Sequence, residues 1–253
     1  MENPKPTKHP DDKVASISLD SMAEDLLGLN IRGLRSVAAL WTRPRDYFAA
    51  ARTPDWNDRF TPSIRLWLSF FALFSALRFW WLGGSQGMIG AYADGFTQAG
   101  LMVPEGMTIE EIGIEAVFLV FGVVPILQVI TMVLLALAWG VWGEKTSITQ
   151  RQRYLFGVIV PSASLMPIFL TVMMFMPQSL VTAFGIGLAV VSFFTDFQTG
   201  YRGLFTEVSR FGRIWRATLL SAVIVTLNVL TSLAAQIGGI IYIASKYGVA
   251  PAG

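Results

Sequence analysis

Residues 40–74 read LWTRPRDYFAAARTPDWNDRFTPSIRLWLSFFALF, a basic, aromatic, proline-studded stretch that passes directly into unbroken hydrocarbon. Charge that stops where a long apolar run begins is the pattern of a chain meeting a bilayer. Thr61-Pro62 marks the boundary. The pair predicts a hydroxyl N-cap followed by proline at the first helical position, where its missing N–H costs nothing. The run from 62 to 83 is long enough to cross, because about 20 helical residues span a hydrocarbon core of about 30 Å.

Composition agrees with this reading. Hydrophobic residues make up 53% of the 253, charged residues only 14%, and mean hydropathy is +0.55, whereas soluble domains carry about 25% charge. The net charge of +2 is too small for a nucleic-acid binder, and no nucleic-acid partner is expected. There is no cysteine, which excludes disulfides, thiolate metal sites and cysteine nucleophiles. The single histidine, His9, lies in the polar stretch TKHPDD, away from any apolar run. The first thirty residues show no apolar signal-peptide core.

From this stretch the pattern extends in both directions. Residues 1–20 predict a disordered cytoplasmic tail, and 21–61 an amphipathic juxtamembrane segment. The latter opens on a capping box, Ser21 with Glu24. Ala23, Leu26, Leu27, Ile31, Leu34, Ala38 and Trp41 then recur at helical spacing, and a short helix follows over about 44–52. Residues 62–246 predict five transmembrane helices, at about 62–83, 109–142, 155–176, 179–197 and 215–246, and 247–253 a short outer tail. The second span starts at another capping box, Thr108 with Glu111, and is long enough to tilt, protrude or bend at Pro125. The third and fourth are joined so tightly that a re-entrant hairpin is the alternative to two full crossings. The fold class expected is all-α: a polytopic membrane protein with an amphipathic cytoplasmic segment.

Basic residues set the orientation. Arg32, Arg35, Arg43, Arg45, Arg52 and Arg59 precede the first span, and residues 84–113 contain no Lys or Arg. Lys145, Arg151 and Arg153 follow the second span, the next turn is bare, and Arg202, Arg210, Arg213 and Arg216 follow the fourth. Alternation of basic and bare loops places the N-terminus in the cytoplasm and the C-terminus outside an inner membrane. Arg43, Arg45, Arg52 and Arg59, with Tyr47, Phe48 and Trp56, are read as anchors at the inner headgroups, and Trp80 and Trp81 as outer anchors.

Polar groups within the spans are the candidate site residues. Arg78 is expected to snorkel or to pair with Glu115, and Asp196 to pair with Arg202 or its neighbours. Gln128 shares a face with Thr131, and Asn228, Ser232, Ala235 and Gly239 form a stripe suited to helix contact. A substrate path lined by Gln128, Asn228 and Gln236 is the functional alternative. No cofactor, metal site or catalytic group is expected: no serine has a histidine to activate it, and carboxylates in the spans are too few for paired acid–base work. The function expected is that of a non-enzymatic scaffold, assembly or membrane-organising factor. Its partners would be lipids and another membrane protein, or a cytoplasmic protein at the 21–61 face. The rival is a small-molecule or lipid carrier using the polar stripe.

Three stretches resemble the YIP-type (Ypt-interacting protein) domain family: LWTRPRDYFAAART before the first span, WGEKTSITQRQRYLFGVIVPSASLMP at 142–167 and FQTGYRGLFTEVSRFGRIWRATL at 197–219. The resemblance implies a five-helix bundle with a cytoplasmic N-terminus. Related bacterial proteins carry an N-terminal zinc ribbon, which a chain without cysteine cannot form.

Overall fold

The computed structural model describes residues 31–53, 55–81, 85–138, 146–175 and 178–248, and every element among them is helical. The expected tail at 1–20 and the Ser21–Glu24 box lie outside these residues. So do the side chains of Arg78, Trp80 and Trp81.

Among the described residues three short helices come first: α1 (Ile31–Thr42), α2 (Pro44–Ala50) and α3 (Trp56–Arg59). Longer ones follow: α4 (Ser63–Trp81), α5 (Ser85–Gln98), α6 (Ile109–Ala138), α7 (Ile148–Met174), α8 (Gln178–Thr199) and α9 (Arg210–Tyr247). A π-helical turn, Gly200–Leu204, links α8 to the segment before α9. Helices α6, α7 and α9 are long and apolar enough to cross a membrane. Their outward surfaces bear it out: Phe118 is 74% exposed and Ile241 61%, with Ile126, Ile130, Leu230 and Ile237 also open. Apolar surface on this scale belongs against lipid.

Helix starts follow the sequence at two points. Thr108 and Glu111 form the reciprocal box, with Glu111 N–H donating to Thr108 Oγ1 at 3.2 Å and Thr108 N–H to Glu111 Oε2 at 2.8 Å. Ser147 and Gln150 form a second box, with S-x-x-Q spacing, at the head of α7. At Thr61 the expectation fails. Its Oγ1 has no hydrogen-bond partner. The backbone serves instead: Thr61 N–H donates to Ser36 Oγ at 2.9 Å, and its carbonyl accepts from Tyr47 Oη at 3.1 Å.

The largest correction concerns the proposed inner anchors. Tyr47 and Phe48 are 0% exposed and Trp56 is 3% exposed. They do not lie at headgroups but form the core of one end of the bundle, with Leu40, Leu66, Phe156 and Leu204. Phe48 fits between two glycines. A Cβ on Gly157 would come within 2.8 Å of Phe48 Cε1, and one on Gly203 within 2.6 Å of its Cδ2. Burial pushes the Tyr47 phenol's pKa up, against weaker pulls from the Ser63 hydroxyl and the Arg153 charge, so it acts as a neutral donor. Arg153 lies over the Trp56 ring at 4.5 Å and donates to Ala51 O. Arg202 donates to Trp41 O and Thr42 O, capping the end of α1, and Arg52 pairs with Glu207. Arg43, Arg45, Arg52 and Arg59 are exposed. The basic segments at 43–59, 151–153 and 202–213 therefore meet at one end of the molecule.

Helix α1 presents two faces. Gly33, Ser36, Ala39 and Leu40 turn inward, while Ile31, Leu34 and Ala38, members of the apolar stripe, turn outward. At the start of α9, Phe211 is 81% exposed beside Arg210, and Trp215 is also open.

The opposite end holds a second, smaller core. Residues 85–98, expected as part of a loop, form α5, which packs on α6 through Ile89, Ala93 and Phe96. Gly113 permits the approach, since a Cβ there would stand 2.8 Å from Ile89 O. Ile112, Ala116 and Ile243 complete this core. Glu115 does not await Arg78: Lys246 Nζ lies 2.6 and 2.8 Å from its two oxygens, and Tyr247 Oη donates to it at 2.5 Å. Met102 N–H donates to Gly248 O at 3.1 Å, fastening the 99–108 segment to the end of α9.

Candidate functional site

Helix α4 packs on α7, α7 on α8, α8 on α9, and α9 on α6, which also meets α7. Between them lies a cavity of about 290 Å³ to which all five contribute. Its α4 wall is aromatic. Trp67, Phe70, Phe71 and Phe74 fall at positions i, i+3, i+4 and i+7, one helical face. Trp67 also stacks on Phe71 at 5.6 Å and tilts against Phe156 at 5.3 Å. Val120, Val124, Ile159 and Ile224 extend the apolar surface.

Polar groups enter this greasy space from the other helices: Gln128 from α6, Ser162 from α7, Asp196 from α8, and Asn228 and Ser232 from α9. Gln128 lies about 15 Å from the Ala138 end of its helix at 1.5 Å per residue, well inside the apolar length. Asp196 is 1% exposed. Its expected partner, Arg202, is committed to the carbonyls of α1. The contact the carboxyl does make is with Ser162, whose Oγ stands 2.6 Å from Asp196 Oδ1 and 2.9 Å from Ile159 O. One hydroxyl hydrogen faces two acceptors. A charged Asp196 draws it away from the carbonyl, whereas a protonated one donates to Ser162 and leaves that hydrogen to Ile159.

Helix α7 can place Ser162 there because it runs unbroken through Pro161 and Pro167. Each proline lacks an N–H and leaves a carbonyl one turn earlier without its helical donor. Hydroxyls crowd the same stretch: Ser164 donates to Pro161 O and Thr171 to Pro167 O. Trp41 Nε1 donates to Ser164 Oγ at 3.2 Å, tying α1 to the cavity wall's far side.

The cavity gathers four of the sequence candidates, Gln128, Asp196, Asn228 and Ser232. It leaves out the others. Gln236 is exposed, so the proposed path through Gln128, Asn228 and Gln236 is broken at its third member. Ala235 and Gly239 are buried where α9 meets α6, and Glu115 belongs to the far core. Thr131 Oγ1 and Thr231 Oγ1 lie 3.5 Å apart across the same α6–α9 contact. Ser162 and the α4 aromatics were not singled out from sequence, although the i, i+3, i+4, i+7 spacing of the four rings was there to be read. Among the described residues no three His, Asp or Glu side chains come together as a metal site would need. The chain matches no family model, no curated protein and no solved structure.

Proposed function

We propose that the protein is a five-span integral protein of a bacterial-type inner membrane, with its N-terminus in the cytoplasm, that binds a small lipophilic molecule between its helices and carries or presents it without chemistry of its own. The observation behind this is the cavity and its Ser162–Asp196 pair. About 290 Å³ left open among aromatic rings, with a carboxyl in its wall, is the form of a binding site for a small ligand. Filling it should abolish binding. Ala163→Phe and Ser232→Phe are expected to leave the folded protein intact but empty of any small molecule that the wild type retains on purification, as read by native mass spectrometry from lipid nanodiscs. Wild-type protein that carries nothing beyond bulk lipid, together with a stoichiometric protein partner, would favour the scaffold or assembly role instead. The exposed Phe211 and Trp215 beside the basic end supply a surface for such a partner.

The five-span topology rests on the gathering of basic segments at one end and on the bare, acidic stretch 84–113 at the other. Reporter fusions after residues 100, 148, 178 and 208 should read outside, inside, outside and inside. A cytoplasmic signal at 100 would overturn the arrangement, and agreement between the signals at 148 and 178 would make α7 and α8 a re-entrant hairpin.

A further inference from the structure

We infer that the ligand of this cavity is a lipophilic ammonium cation, with Asp196 as its counter-charge and the α4 rings as the wall against which its apolar part lies. The inference rests on the reading of the cavity as a ligand site. A carboxyl buried to 1% exposure in an apolar bundle must be neutralised, because an uncompensated charge there is far more costly than a neutral polar group. No ion pair to Asp196 is found among the described residues, and its one-sided contact is with a neutral hydroxyl. The loop arginine nearest in sequence is turned to the carbonyls of α1. Among the described residues nothing else neutralises it, which leaves a proton or something that enters the cavity.

The lining favours an entering cation over an entering anion or sugar. Among the described residues that line it there is no Lys or Arg, and the one ionisable group is an acid. Trp67, Phe70, Phe71 and Phe74 make one wall aromatic, and aromatic rings attract an ammonium most strongly where water is excluded. Gln128 and Asn228 add amide oxygens that can turn towards positive charge. An inorganic cation would demand a dense cage of oxygens, which a mostly aromatic and aliphatic wall does not supply. An organic cation, weakly hydrated and with an apolar body, meets both halves of the surface.

The test compares two probes of the same shape. The first is 4-phenylbutyltrimethylammonium. The second is 5,5-dimethylhexylbenzene, in which carbon replaces the nitrogen. Radiolabelled forms of each are equilibrated with nanodiscs carrying the full protein, and retention on empty nanodiscs is subtracted. Wild type should hold the cation at least about tenfold more tightly than the neutral probe. Asp196→Asn keeps a side chain that can bond Ser162 but removes the charge. It should lose the preference while retaining the neutral probe, and Asp196→Glu should preserve the preference. Equal retention of both probes by wild type would overturn the charge assignment and leave the cavity as a site for neutral lipophiles. Cation retention unchanged in a folded Asp196→Asn would also overturn it. Retention of neither probe by wild type would sink the cavity as a ligand site altogether. The wild-type ratio is decisive even if the variant fails to fold.

Discussion

Phe48→Ala is expected to cost about 3–5 kcal/mol of stability, the range for emptying a fully enclosed aromatic site. The residue is 0% exposed and joins three parts of the chain: α2 itself, Tyr154 and Gly157 of α7, and the Gly203 turn. Its slot gives the prediction a second, sharper half. Gly157→Ala in wild type should cost about 1–3 kcal/mol by overpacking, because the added methyl meets Phe48 Cε1 at 2.8 Å. In the Phe48→Ala background that obstacle is gone, and the same change should become stabilising, since alanine is worth up to about 1 kcal/mol over glycine inside a helix. Unfolding of the four variants in mild detergent measures the coupling. If Gly157→Ala costs the same in both backgrounds, Phe48 is not what the glycine makes room for.

The second large effect is expected at Gly239, where a Cβ would stand 2.9 Å from Val120 Cγ2, while its neighbour Gly238 has nothing within 4 Å. Gly239→Leu should force α9 away from α6 and cost about 3 kcal/mol, the upper end of ordinary overpacking. Gly238→Leu, the same chemistry one residue earlier, should be neutral or slightly stabilising, and Ile241→Leu on the exposed side should stay within about 0.5 kcal/mol. Equal losses at 238 and 239 would mean that the α6–α9 contact lies on another face.

These two sites also show what the sequence could disclose. The Gly239 contact was legible because small residues recurring at helical spacing in a long apolar run have few uses other than close approach. Phe48 was misread for a complementary reason. An amphipathic helix next to a membrane shows which face is apolar but not whether lipid or protein covers it. In α1 and α2 protein covers the ring-bearing face, while the aliphatic stripe of Ile31 and Leu34 is left outside. Helix α5 was missed because Gly87, Gly90 and Gly95 lower its propensity. The contacts of Ile89, Ala93 and Phe96 with α6, a tertiary effect, hold it in place. At Asp196 the choice of partner turned on which loop arginine reaches what. Sequence distance favoured Arg202, but the carbonyls at the end of α1 had the stronger claim on it.

The fastening of Glu115 to Lys246 and Tyr247, and of Met102 to Gly248, bears on how the molecule is made. Its partners lie more than 130 residues apart. Until residues 243–248 have been made, Glu115 lacks the two groups it bonds in the finished fold, and Ile112 and Ala116 lack Ile243. Neither can be satisfied until residues 243–248 emerge. Contacts of such long sequence separation form late, and a half-made chain waits with apolar surface and a lone carboxylate open to other proteins. A chain halted before α9 would be expected to leave them open permanently.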